Sequence, residues 1–84
     1  MAKTNYSPTF PMYPGDAAAV TPSDSVNLTQ PSIIYVGNGG NVKVTTAQGT
    51  AVTFTAVNGG TVLPVQVLRV WSTGTTATSM TAIF

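Results

Sequence analysis

Few residues in this 84-residue chain carry side chains able to do chemistry. Five are charged: Lys3, Lys43 and Arg69 against Asp16 and Asp24. Histidine, cysteine and glutamate are absent. That removes the imidazole base, the thiolate nucleophile, the soft-metal site and the disulfide. Two aspartates cannot supply both an acid/base pair and its charge partners, so no catalytic, cofactor or metal site is expected and the chain does not read as an enzyme. Three cations and a net charge of +1 cannot neutralise a run of phosphates, which argues against nucleic acid as a partner.

The remaining constellations each have a plainer reading. Gly37-Asn38-Gly39-Gly40 invites comparison with a phosphate-cradling loop, but that chemistry needs a helix N-terminus after the glycines. A β-rich segment follows instead, so the cluster is expected to be a hairpin turn. Asp16 and Asp24 could offer oxygens to calcium, which wants six to eight of them; Asp24 in Thr21-Pro22-Ser23-Asp24 better fits a turn residue bonding backbone N–H groups. Lys43 as a base for a Ser or Thr nucleophile would have to be buried and neutral, yet it falls on the polar side of its strand. Arg69 beside Trp71 could form a sugar-stacking or cation–π platform, or a strand-end Trp could fill a core or an interface. Arg69 and Trp71 are therefore kept as a possible interface.

Composition divides the chain near residue 25. Residues 1–24 hold four of the six prolines and three of the five charges, and proline at that density favours an extended polyproline-like path. Tyr6, Phe10 and Tyr13 alternate with Pro8, Pro11 and Pro14. Three aromatics and Met12 within eight residues are unusual for a solvated tail. The segment reads as an arm lying on another subunit or a neighbouring protein, through Tyr6, Phe10 and Tyr13; the plainer alternative is a terminus folding back onto its own domain.

Residues 25–84 read as an antiparallel β domain. Ile33–Val36 is a short β-rich run. Asn41–Thr46 alternates Val42 and Val44 with Lys43 and Thr45, and Thr50–Val57 places Val52, Phe54 and Ala56 together. Ala47-Gln48-Gly49 is a turn, and Asn58-Gly59-Gly60 is the strongest hairpin signal. Thr61–Trp71 is a long strand whose face pattern is broken, which a bulge near Pro64 or Arg69 would reconcile. Ser79–Phe84 is the last strand, and Ser25–Leu28 is a further short candidate. No helical periodicity appears. The expectation is all-β: a small antiparallel sandwich or barrel of five to six short strands with an extended N-terminal arm. Val42, Val44, Val52, Phe54, Val65 and Val67 are the expected core.

Size and charge then point outward. Ordering a residue costs about 1.5 kcal/mol, which nearly cancels the burial a small core offers. With disulfides impossible, self-association is the expected remedy. Charged residues make up 6% of the chain, and interface centres are depleted of charge. Threonine-rich faces carrying Thr45, Thr53, Thr55 and Thr61 can meet another sheet without burying an unpaired charge. No targeting signal or membrane span is expected, since the most apolar stretch, Val62 to Val70, contains Pro64, Gln66 and Arg69. The product is therefore expected to be made in the cytoplasm and kept there until it joins its assembly.

From Asp16 to Phe84 the chain resembles the spike base proteins of gene transfer agents and related tailed-phage head decoration proteins. The residues carrying the resemblance are Ala19-Val20-Thr21-Pro22-Ser23-Asp24, Leu28, Tyr35-Val36-Gly37 and Gly39-Gly40-Asn41-Val42. Val52-Thr53-Phe54, Gly60-Thr61-Val62-Leu63-Pro64-Val65 and Thr73-Gly74-Thr75-Thr76-Ala77-Thr78 continue it. The resemblance implies a β-rich virion subunit on the capsid exterior that forms vertex pentamers, docks on the major capsid protein and supports a head fibre. The Tyr/Pro/Phe arm and the low charge depart from the pattern. They leave open a cement protein between capsomers, or a receptor-binding module of the tail or fibre that uses Trp71.

Overall fold

The computed structural model describes residues 14–84, and among these the regular structure is entirely β. The strands are β1 (Ala17–Ala19), β2 (Ser32–Asn38), β3 (Gly40–Thr46), β4 (Ala51–Val57), β5 (Thr61–Val70) and β6 (Thr78–Ile83). They form one six-stranded sheet in the order β1-β6-β2-β5-β3-β4. Every neighbouring pair is antiparallel, and the sheet does not close. The all-β expectation is met, with each main strand within a residue or two of where alternation places it.

β5 organises the sheet. Its first part pairs with β2, from Thr61 opposite Val36 to Val67 opposite Ser32. Its last part pairs on the other edge with β3, where Val70 faces Val44. The register slips twice. Ile34 faces Leu63 while Ser32 faces Val67, so extra residues of β5 bow out around Pro64. Thr45 faces Arg69 while Thr46 faces Val67, which leaves Leu68 as a second bulge. Bulges bend a strand and increase its twist; here they carry the second half of β5 and its partners back over the first. Consequently Ile34, Val36, Val42, Val44, Leu63, Val67, Val70, Met80 and Ala82 meet in one core cluster although β2 and β3 never pair.

Three expectations need correction. Gly37–Gly40 and Asn58–Gly60 are not hairpins: β5 lies between β2 and β3, and β3 lies between β4 and β5. Among the described residues only the Ala47–Gly49 turn closes a hairpin, with Thr46 N–H donating to Thr50 O at 2.8 Å. The two glycine clusters are corners at which the chain changes partners, and they cross in backbone contact. Gly60 N–H donates to Val36 O at 2.7 Å. A Cβ on Gly39 would lie 2.5 Å from Val57 O, and one on Gly59 would lie 2.7 Å from Gly37 O. At Gly39 and Gly59 glycine is needed for proximity, whereas Gly60, at φ +86° with open space around it, is needed for its dihedral range.

The second correction concerns the core. Val42, Val44 and Val67 are fully buried, and Phe54 and Val65 pack against the cluster, but Val52 is 38% exposed. Val52 shares the inward face with its partner Val44, yet β4 is an edge strand and its turn-proximal end overhangs the core. The core instead includes Ile34 and Val36 together with Met80 and Ala82. Third, Ser25–Leu28 is not a strand. It runs irregularly beside β5, with Ser23 N–H donating to Val70 O and Leu28 N–H to Leu68 O. The additional strand is β1, tied to β6.

β4 has a further irregularity. Gly40 faces Val57 while Val42 faces Phe54, so β4 bulges, and Ala56 sits there at φ +56° with its N–H donating to Asn41 Oδ1 at 2.9 Å. A left-handed alanine costs roughly 1–2 kcal/mol, offset in part by that bond.

The crossing predicts unequal effects for two glycines. Gly59→Ala drives a methyl into backbone and should lower stability by more than about 3 kcal/mol, among the large effects of steric origin. Gly49→Ala, at φ +91° with open space around it, should cost about 1 kcal/mol. Urea midpoints of the two variants measure the difference.

Candidate interaction surfaces

Two surfaces stand out, and the pleat that builds the core also builds them. On β3, Val42 and Val44 point inward, so Lys43 and Thr45 point outward. Arg69 is the register partner of Thr45. Trp71 follows the end of β5, where its N–H donates to Lys43 O at 2.8 Å and its indole N–H to Thr45 Oγ1 at 2.9 Å. Lys43 Nζ lies 4.5 Å from the Trp71 ring centroid and Arg69 Cζ lies 5.1 Å from it. Sequence spacing brings Arg69 and Trp71 together; the fold adds Lys43, which alternation placed on the polar face without showing its neighbour. Because two of the chain's own cations and Thr45 already engage the indole, the platform is poorly suited to stacking a sugar.

Asp24 completes this surface. Its Oδ1 accepts the N–H groups of Ser72 at 3.0 Å and Thr73 at 2.8 Å, and its Oδ2 accepts the Thr73 hydroxyl at 2.5 Å. Arg69 donates to Asp24 O at 3.1 Å and to Asn27 Oδ1 at 2.8 Å. Asp24 does bond backbone N–H groups, as its turn context suggests, but across the fold rather than locally. The Thr73 hydroxyl above all, then the Thr73 N–H, with smaller help from Ser72 and Lys43, hold its carboxyl below its ordinary value of 3.8, while desolvation works against them. The 71–77 loop is also sewn to β3: Asn41 N–H donates to Thr76 Oγ1 at 2.9 Å and Lys43 N–H to Thr75 Oγ1 at 3.0 Å. Among the described residues no group of acidic, His or Cys side chains could hold a metal.

The second surface is the outward side of β6, β2 and the first half of β5. Ile33 faces Ile83, and Tyr35 lies between Thr81 and Val62. Tyr35 is 38% and Val62 48% exposed. The outward residues of these strands are uncharged. At one end a groove of 230 Å³ opens among Pro14, Pro31, Ile33, Gln66, Ile83 and Phe84. Nothing in the strand pattern reveals this groove, because it depends on the β2–β6 register and on the Pro64 bulge that sets Gln66. Tyr6, Phe10 and Tyr13 lie outside the described residues, and the chain joins the domain at Pro14 in the groove wall.

The Asp24 bonds imply a pH dependence. A carboxyl whose folded-state value is depressed contributes stability above its unfolded value and loses it as pH falls through the folded value. The latch should therefore be intact at neutral pH, begin to weaken near the unfolded value of about 4, and be released as pH falls through the lower folded value. The protection of the Ser72 and Thr73 amides, taken relative to the intrinsic exchange rate at each pH, should fall there, and Asp24→Asn should lower it already at neutral pH, with little further change on acidification.

No family model matches the chain, and no curated protein matches it in sequence. Among solved structures it is similar to a chain of the capsid of the native gene transfer agent particle, computed with C5 symmetry. That chain is 30% identical, the match covers 100% of both chains, and the TM-score is 0.79. Likeness of this extent runs over the full length of both chains. The chain belongs to the family of gene transfer agent capsid-associated proteins that this structure represents.

Proposed function

We propose that this protein is a non-enzymatic structural subunit of a phage-type particle, mounted on the capsid exterior as a spike base or decoration subunit. The observation that carries the reading is the full-length match, at 30% identity, to a protein of the gene transfer agent capsid. A vertex pentamer is compatible with the fivefold symmetry under which that capsid was computed. In this reading the β domain self-associates as a ring, its arm (with Tyr6, Phe10 and Tyr13) anchors it to the major capsid protein, and the ring supports a head fibre. The uncharged outer face suits such assembly, because contact there desolvates no charge. A cement role between capsomers uses the same surfaces and differs only in location.

Particle assembly tests the proposal. Deleting residues 2–13 should leave the β domain folded, with unchanged far-ultraviolet dichroism, and should reduce incorporation into particles at least tenfold. Normal incorporation of the truncated protein would remove the anchoring role. A particle reconstruction showing the density between capsomers rather than at vertices would favour cement over spike base.

A further inference from the structure

The groove and the uncharged face beside it lie where the arm enters the domain: Pro14 forms part of the groove wall, and residues 1–13 precede it. We infer that this surface seats the root of the chain's own arm, with Tyr13 in the groove and Phe10 on the Tyr35–Val62 patch, leaving Tyr6 to meet the partner. The inference rests on reading the arm as the anchor and divides the labour of its aromatics.

Three properties of the arm match the surface. First, Pro8, Pro11 and Pro14 recur every third residue, which is the repeat of a polyproline helix. Phe10 and Tyr13 then share one stripe and Tyr6 falls on another. One turn rises about 9 Å, close to the step of about 7 Å from Ile33 to Tyr35 along the strand. Second, the open groove of 230 Å³ sets Pro31, Ile33 and Phe84 beside Gln30 and Gln66, which suits a tyrosine, whose ring is apolar and whose hydroxyl needs a polar partner. Third, a polyproline segment leaves its carbonyls without internal partners, and the amides of Gln30 and Gln66 at the groove can donate to them. Residues 4–15 carry no charge and neither do the outward residues of the sheet face, so docking strands no ion.

The same prolines count against the obvious alternative. Because they occupy both even and odd positions, whichever edge of a strand built from this segment faced the sheet would lack donors. The arm is therefore unsuited to extending the free edge of β4. A tether this short gives an effective concentration in the millimolar range, which favours the chain's own groove over a neighbour's.

The absence of native cysteine makes the test clean. In the full chain, Met12→Cys with Gln66→Cys should form an intramolecular disulfide at least tenfold faster than Met12→Cys with Thr53→Cys, whose β4 position faces away from the groove. The rate should be independent of protein concentration, slowed by Tyr13→Ala and unchanged by Tyr6→Ala. Equal rates for the two pairs would overturn the seat, as would crosslinked dimers whose yield rises with concentration. Incorporation into particles reads the anchor and the crosslink reads the seat, so either can fail while the other stands.

Discussion

The fold depends on two stretches of backbone passing within hydrogen-bonding distance of each other at the Gly37–Gly40 and Asn58–Gly60 corners. Each corner moves the chain from one neighbour to another, and the crossing lets β5 serve β2 on one edge and β3 on the other. A side chain at Gly39 or Gly59 would hold the corners apart. The two halves of the sheet could then not roll together, and Ile34 and Val36 would lose Val42 and Val44 as core partners. The β5 bulges supply the bend that this approach requires.

Around that frame the scarce charges are concentrated. Lys43, Arg69 and Asp24 all serve one corner of the surface, where the cations flank Trp71 and the carboxylate holds the loop after it. A polar network of this kind fixes the end of β5 and the start of β6, and it keeps charge away from the outward side of β2 and β6. The molecule thus has one surface where polar groups satisfy each other and one where apolar groups wait for a cover.

Much of this was legible from residue order alone. Alternation in Asn41–Thr46 and Thr50–Val57 locates β3 and β4 because each has one inward and one outward face, and the broken parity of Thr61–Trp71 announces its bulges. Connectivity was not legible. Glycine and asparagine signal a tight reversal, but the same residues suit a corner where backbones touch, and only long-range pairing distinguishes the two. Val52 misleads for a related reason: periodicity identifies the inward face, whereas burial depends on whether anything lies opposite. Lys43 beside Trp71 and the groove at Pro14 depend on register between strands far apart in the chain, which local pattern does not encode.

The exposed edge of β4 bears on how long the subunit can exist outside an assembly. Its seven residues, Ala51–Val57, are uncharged and end the sheet, and edges of that kind template further strands unless interrupted. The bulge at Ala56 interrupts this one near its end, leaving the stretch through Phe54 competent to recruit another strand. Solubility of the unassembled protein is thus a race between capture by the particle and pairing with its own kind. Production of the subunit in step with its particle, rather than ahead of it, is the condition under which capture wins.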